Sequence, residues 1–242
     1  LKECRQTAAA ITDHGVMYGV IDFYNECKAN NINPVLGCEV YLAKESRFQK
    51  MQSSAKDESR YYHLVLLAEN NIGYSNLTKI VSLGFTEGYY YKPRVDMEIL
   101  REYHEGLICL SACLAGEIPR AVINGNFDEA KAAALRYIDC FGKNNFFLEL
   151  QDHGIPDQKR VNKHLIQLAK ELDIGLVATN DCHYTYAEDA EAHDHLLCIK
   201  TGKKVSDTNR MRYTGGQYYV KSEAEMLELF PYVEVAIANT TQ

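Results

Sequence analysis

Short apolar runs recur along the chain, and most of them end in polar residues of the kind found in active sites. Segments with helical periodicity lie between them. In residues 156–172, for example, apolar residues recur at spacings of four, three and four, which places them on one face of a helix. The runs predicted as strands are AAAITDH (8–14), PVLGCEVYLA (34–43), HLVLLAE (63–69), GLICLSAC (106–113), FFLELQDH (146–153) and GLVATNDCH (175–183).

Strands that alternate with helices predict parallel strands joined by right-handed crossovers. The apolar runs are nearly continuous, which is typical of a sheet buried on both sides. A closed β/α barrel and an open doubly wound sheet both satisfy this pattern. The helices are predicted at 18–30, 74–84, 127–141, 156–172, 187–200, 222–230 and 231–240, and Ser222 with Glu225 has the pattern of a capping box.

Two polar segments interrupt the alternation. Residues 44–60 lack apolar periodicity and predict an exposed loop between two strands. Residues 200–217 contain five basic residues and predict a second loop, followed by a last short strand at 217–220. The basic loop is either simply solvated or a contact for DNA or another domain.

Composition narrows the class of protein. Apolar residues make up 46% of the chain, and none of their runs approaches the roughly 18 residues of a membrane span. The formal charge of −7 argues against a broad nucleic-acid-binding surface, although it allows a site that handles one phosphate through metals. The eight cysteines include no CxxC pair, so we interpret them as reduced thiols of a cytoplasmic protein.

Polar residues that are costly to bury end six of the predicted strands, and they need a common explanation. A metal site supplies it, because imidazole, carboxylate and thiolate groups bind Zn, Mn and Fe. A set that includes carboxylates favours a catalytic cluster over a closed structural zinc site. The set consists of Asp13, His14, Glu39, His63, Cys113, Asp152, His153, Asp181 and His183.

The DxH sequence at residues 181–183 has a specific geometry. Asp181 and His183 are two residues apart on a predicted strand, so both side chains would enter one barrel lumen. Cys182 would then point to the opposite face, into the core. His193 and His195 form an HxH pair in a predicted helix, where residues two apart do not share a face, so we expect a surface or packing role for them.

Six separated motifs resemble the PHP (polymerase and histidinol phosphatase) domain, in the version found in the alpha subunit of bacterial DNA polymerase III. The stretches GYYYKPRVD (88–96) and CLSACLAGEIPRA (109–121) resemble that version rather than a stand-alone phosphatase. The resemblance covers nearly the whole chain and is weakest at 44–60. The motifs are TDHG (12–15), GCE (37–39), the histidine of YYHLVLLA (61–68), SACLAGE (111–117), QDHG (151–154) and TNDCHY (179–184).

The resemblance implies a distorted (β/α)7 barrel over residues 1–242 that holds up to three divalent metal ions, Zn or Mn and possibly Fe. The family opens with a strand that carries an HxH motif, which residues 1–10 do not match. We favour truncation over evolutionary loss, and therefore expect this strand upstream and a helical exit toward a polymerase region at 221–242. The implied metal ligands are His14, Glu39, His63, Cys113, Asp181 and His183.

Further roles follow from the same resemblance. Asp13 would orient a ligand, and catalysis would rest on Asp13, His14, Asp181 and His183, whose Asp and His groups assist proton transfer. Substrate phosphate would meet Lys92, Arg94 and His153.

The implied function is a metal-dependent phosphoesterase, acting as a 3′–5′ exonuclease, within a replicative DNA polymerase. The polymerase reaction itself would use Mg in a downstream domain. Partners would be primer-template DNA, a proofreading subunit and a sliding clamp, with no membrane. The alternatives are a stand-alone histidinol-phosphatase-like enzyme and a catalytically inactive structural module.

Overall fold

A curled, half-barrel sheet forms the centre of the computed structural model, which describes residues 1–50 and 61–241. The order of its hydrogen-bonded strands is β4-β5-β2-β3-β6-β7-β8, and β1 pairs with β2 outside this path. This mixed α/β architecture agrees with the predicted distorted barrel. The strands are β1 (Ala8–Ile11), β2 (Asn33–Ala43), β3 (Tyr61–Ala68), β4 (Tyr89–Tyr90), β5 (Lys92–Val95), β6 (Leu107–Leu110), β7 (Phe146–Leu150) and β8 (Gly175–Ala178).

Helices cover one side of the sheet. The capping box predicted at Ser222 and Glu225 is present, and Asn70 caps another helix by accepting a hydrogen bond from Gly73 N. Two short helices, Met97–Glu102 and Glu117–Ile123, were not predicted, because they are too short for a clear periodic pattern. The helix Glu223–Leu229 is equally short, but its capping box marks where it begins. The helices are α1 (Val20–Ala29), α2 (Asn71–Thr86), α3 (Met97–Glu102), α4 (Glu117–Ile123), α5 (Phe127–Phe141), α6 (Pro156–Leu172), α7 (Ala190–Thr201), α8 (Glu223–Leu229) and α9 (Glu234–Ala238), with short 3₁₀ helices at Ala187–Asp189 and Asn239–Thr241.

The long strand β2 organises the sheet. Its first part, residues 33–36, pairs in parallel with β1, and its second part, residues 37–43, pairs antiparallel with β3. Strand β3 also runs antiparallel to β6, so the prediction of an all-parallel sheet is wrong for this strand. An antiparallel neighbour needs no helical crossover, which agrees with the polar, non-periodic connection between β2 and β3.

The alternation along β2 and β3 separates the core from a second, inner face of the sheet. Val40, Leu42, Leu64 and Leu66 point toward the helices and belong to the main core, with Tyr137 of α5 fully buried among the same cluster. Residues with the opposite parity face inward, where Val65 packs with Leu110, Ala112 and Val177. The inner face is therefore the concave side of the half-barrel, and Glu39 and His63 share its parity.

Two loop predictions need correction. Within the predicted exposed loop 44–60, residues 51–60 lie outside the described residues, but Arg47 is buried at 8% exposure because it pairs with Asp96. The predicted strand at 217–220 does not form. The carbonyl groups of Gln217 and Tyr219 instead accept hydrogen bonds from the Asn180 side chain, which leaves an irregular backbone.

No helix in the described part of the chain has the length and apolar character needed to cross a membrane. The eight cysteines are all free thiols.

Candidate metal centre

The loop after β1 runs alongside β2 and places His14 beside Glu39. Glu39 N donates to the Asp13 carbonyl, and Gly15 N donates to the Glu39 carbonyl, so the two segments continue the parallel ladder for one more bridge. Gly15 has a φ of 70°, and a Cβ there would lie 2.8 Å from the Tyr41 ring. Glycine is thus required where the TDHG turn approaches the sheet.

One carboxylate oxygen joins two imidazoles on the inner face. Glu39 Oε1 lies 2.8 Å from His14 Nδ1 and 2.5 Å from His63 Nδ1. Each of these three side chains offers one ligand atom, and these atoms all lie within 4.8 Å of one another. These three donors, from β2, β3 and the segment after β1, form a group that can hold a metal ion.

Cys113 extends this group from the turn after β6. Ala112 has a φ of 60°, and this turn after β6 lets the Cys113 Sγ come within 3.6 Å of His63 Nδ1. The His63 amide donates to the Ala115 carbonyl, which ties the SAC turn to the start of β3. The thiol therefore reaches the same group of donors as the two imidazoles and Glu39.

Asp181 and His183 lie on the other side of His14, but by a different route from the one predicted. Strand β8 ends at Ala178, and Asp181 has a φ of 43°, so the pair occupies a loop rather than a strand. The His183 ring is 6.1 Å from the His14 ring between centroids. His183 Nδ1 contacts the Asp181 carbonyl at 2.7 Å and the Asp181 carboxylate at 3.9 Å.

The loop geometry also changes the prediction for Cys182. This residue is exposed rather than part of the core, and its thiol donates to the Tyr219 carbonyl at 3.3 Å. The strand alternation that would have pointed Cys182 into the core does not extend beyond Ala178.

Electrostatics favour a charged pair at the centre of the cluster. The hydrogen bond to Glu39 raises the pKa of His14 above 6.5, against the opposing effect of burial. Burial alone would raise the pKa of Glu39, but hydrogen bonds from His14 and His63 outweigh it and lower that pKa to about 2. Burial raises the pKa of the Cys113 thiol and of the Asp181 carboxyl, so a nearby cation would favour both anionic forms.

This pairing predicts a defined pH dependence of stability for the metal-free protein. The raised pKa of His14 gives stability that is complete below 6.5 and is lost as the pH rises through the folded-state value. The lowered pKa of Glu39 gives stability that is present above 4.5 and is lost as the pH falls toward about 2. The Glu39→Gln variant should therefore unfold at a lower temperature than the wild type mainly at pH values between the folded-state pKa of Glu39 and that of His14. Thermal unfolding in EDTA across pH 3–9 measures this, and an equal difference at every pH would contradict it.

The remaining predicted site residues occupy different positions. Asp13 contributes through its backbone carbonyl, while its side chain is exposed. Lys92 Nζ lies over the Tyr41 ring, 5.2 Å from its centroid, and Tyr41 in turn contacts the His63 ring, so Lys92 is close to the cluster. Asp152 is buried and accepts from Gly154 N in the turn after β7.

Arg94 and His153 do not fit the predicted contact with phosphate. The Arg94 guanidinium is buried and donates to the backbone carbonyls of Arg47, Gly88 and Gln49. His153 is also buried, and its two ring nitrogens contact Gln158 and the Asn180 carbonyl. Both side chains therefore hold loops together, because their polar atoms already have protein partners.

Aromatic side chains that were not predicted surround the outer part of the cluster. The Tyr213 ring is 4.5 Å from the His183 ring and 5.1 Å from the His193 ring between centroids. His193 itself lies 5.5 Å from His183, so its packing role brings it next to the site. Tyr213 comes from the basic loop, and no local sequence pattern indicates that this loop packs against His183 and His193.

The donor set fits a divalent metal. Two imidazoles share a buried carboxylate, a thiol lies at hydrogen-bond distance from one of them, and a further imidazole and carboxylate flank the other. Soft and nitrogen donors suit Zn or Fe, and the carboxylates also suit Mn. The candidate metal centre, as used below, comprises His14, Glu39, His63, Cys113, Asp181 and His183.

Comparison with known proteins identifies the class. Residues 1–153 match the model of the PHP domain family, which is more than half of the chain, so the chain belongs to this family. The resemblance inferred from the six motifs is thereby confirmed.

Several similar proteins are named DNA polymerase III subunit alpha. The chain is 46% identical to DNA polymerase III subunit alpha of Borreliella burgdorferi over 241 residues, which cover 100% of this chain and 21% of that protein. It is also 46% identical to the subunit of the same name from Treponema pallidum, covering 100% of this chain and 20% of that protein. For the Deinococcus radiodurans subunit the identity is 43%, with 96% and 17% covered. The chain thus spans about a fifth of the length of the curated relatives it matches.

Proposed function

We infer that this PHP domain belongs to the alpha subunit of a bacterial DNA polymerase III and carries a metal-dependent phosphodiesterase site that removes nucleotides from a 3′ end. The observation that carries this proposal is the single Glu39 oxygen that contacts both His14 and His63 on the inner face of the sheet of a PHP domain. A shared carboxylate with converging imidazoles and a thiol is a donor set typical of a catalytic metal site. Relatives that are named as polymerase subunits supply the DNA context.

Metal ions held at this centre would supply Lewis acidity toward phosphate oxygens and an activated water. The side chains of this chain have roles of their own. Glu39 keeps two imidazoles oriented through one oxygen, and Lys92 places a positive charge beside Tyr41 at the edge of the cluster. Asp181 and His183, in mutual contact, form the pair suited to moving a proton at the scissile phosphate.

The wider role proposed for the parent protein follows from its relatives. Template-directed synthesis would occur in a region beyond this domain, with Mg as its metal. Primer-template DNA would be the substrate, and a proofreading subunit and a sliding clamp would be partners in the cytoplasm.

The test compares ligand variants with a histidine of the same type outside the site. In the full-length polypeptide, His14→Ala and Asp181→Ala should lower the metal content per chain. Both variants should also lower the rate at which 3′ nucleotides are released from primer-template DNA, by about 10² or more. His104→Ala is the control, because that side chain is exposed and contacts only the nearby Arg101 carbonyl among its described hydrogen bonds.

Metal content is measured by elemental analysis after dialysis against Zn²⁺ or Mn²⁺. A protein that folds and binds metal but releases no nucleotides would overturn the exonuclease assignment. A protein that folds and binds no metal would instead identify the domain as a structural module of the polymerase.

A further inference from the structure

A buried glutamate behind the candidate metal centre connects three strand ends. Glu149 in β7 is 5% exposed, and its Oε1 accepts hydrogen bonds from Thr179 Oγ1 at 2.5 Å and from Gln151 Nε2 at 2.9 Å. Its backbone amide donates to Ser111 Oγ at 2.9 Å. A carboxyl group in this position is costly to bury, and it is not one of the predicted ligands.

The partners of Glu149 lie at equivalent points of two ligand loops. Thr179 comes directly after β8 and precedes Asp181 by two residues, while Ser111 comes directly after β6 and precedes Cys113 by two residues. Both of these loops then adopt a left-handed residue, Asp181 in one and Ala112 in the other. A left-handed conformation is strained for a residue with a side chain, so it persists only where surrounding contacts hold it. Contacts that fix the first residue of each loop help to maintain this conformation.

A small cavity lies beside this carboxyl. Its volume is about 10 Å³, and Cys113, Glu149, Gln151 and Asn162 are among the residues that line it. Glu149 Oε2 and Gln151 Oε1 are buried oxygens without a hydrogen-bond donor among the described residues. The volume suits one water molecule, which would donate one hydrogen bond to each oxygen.

We propose that Glu149, with Thr179, Gln151 and one buried water, is a positioning group that fixes the Asp181–His183 loop at the candidate metal centre. Glu149 contributes a hydrogen-bond acceptor rather than a ligand. Its side chain fixes Thr179 at the start of the loop, while its backbone contact with Ser111 ties β7 to the Cys113 turn.

The consequence for metal affinity rests on the proposed function, whereas the positioning of the loop does not. The experiment therefore measures the two separately in the full-length polypeptide. Hydrogen exchange of the backbone amides of residues 179–184 is measured in EDTA, and Zn²⁺ affinity is measured by competition with a chelating dye.

Two variants remove the proposed contact with little change in shape. Glu149→Leu removes the acceptor of both hydrogen bonds while filling a similar volume. Thr179→Val removes the donor hydroxyl, which also accepts a long contact from Gln151 Nε2 at 3.5 Å. Each should raise the exchange rate of residues 179–184 by about 10-fold and lower Zn²⁺ affinity by about 10-fold or more. The double variant should be no worse than Glu149→Leu alone, since that change already removes the hydrogen bond from Thr179.

Two further variants separate positioning from general stability. Glu149→Gln keeps an acceptor oxygen for Thr179 and should restore both readouts to within about twofold of the wild type. Thr201→Val removes a hydroxyl of the same type, which donates to the Leu197 carbonyl in α7, and should leave both readouts unchanged.

The outcomes distinguish this proposal from the proposed function. Normal exchange of residues 179–184 in folded Glu149→Leu and Thr179→Val proteins overturns it, as does an equal rise in exchange throughout the helices. A wild-type protein that binds no Zn²⁺ removes the proposed function, while the exchange data still decide whether Glu149 positions the loop.

Discussion

Replacing Glu39 by glutamine is expected to lower Zn²⁺ affinity by about 100-fold or more and to remove the proposed nuclease activity with it. Glutamine has nearly the same shape, so the packing of β2 is preserved. The variant loses the negative charge that one oxygen shares between His14 and His63, at 2.8 and 2.5 Å. Because that charge lies in a buried site with 7% side-chain exposure, solvent does not replace it.

Two further variants test whether charge and reach are both needed. Glu39→Asp keeps the charge but shortens the side chain by one methylene, so we expect an affinity between those of the wild type and Glu39→Gln. Glu87→Gln is the matched control, since that carboxylate pairs with Arg47 rather than with a candidate ligand. Metal content and Zn²⁺ titration measure all three. Normal affinity in Glu39→Gln would show that Glu39 is not a ligand.

The candidate centre could be predicted from sequence where a polar residue in or just after a predicted strand also matches a motif of the PHP family. Glu39 and His63 lie within β2 and β3, and the parity of their neighbours already separates core residues from inner-face residues. His14 lies one bridge beyond β1, so the same ladder fixes it. These positions depend on local periodicity and on regular strand pairing, both of which are determined by short stretches of sequence.

The rest depends on contacts between distant segments. The direction of β3 is set by its partners β2 and β6, because its own apolar run suits either orientation. The Asp181 loop leaves the strand pattern through a left-handed residue, which a DxH sequence does not reveal. Glu149 is part of an apolar run and has no signal of its own, since its role comes from Thr179, 30 positions away.

Arg47 shows that contacts important for stability are also not indicated by local sequence. A polar, non-periodic segment predicts solvent exposure, yet the Arg47 guanidinium pairs with the buried carboxylate of Asp96 at 3.1 Å and with Glu87 at 2.7 Å. Its carbonyl also accepts a hydrogen bond from Arg94. The segment after β2 is thus held against β5 and the start of α3 by charges that are far apart in sequence.

Replacing Arg47 by methionine should therefore lower the free energy of unfolding of the domain by about 3 kcal/mol, because it leaves the buried charge of Asp96 without its cation. The measurement is the exchange of the slowest core amides of β2 and β5 in the full-length polypeptide, which reports global opening of the domain. Lys143→Met is the control, since its partner Asp173 is exposed and that pair should contribute nothing measurable.

The double variant Arg47→Met, Asp96→Asn distinguishes a charge effect from lost packing. If the cost arises from the unpaired carboxylate, removing that charge should recover part of the loss, even though one more polar contact is gone. A double variant that is less stable by the sum of the two single effects would mean that Arg47 acts through its packing on Phe48 and its other partners. A loss in the single variant as small as that of Lys143→Met would mean that the segment is exposed in solution, as its sequence pattern predicts.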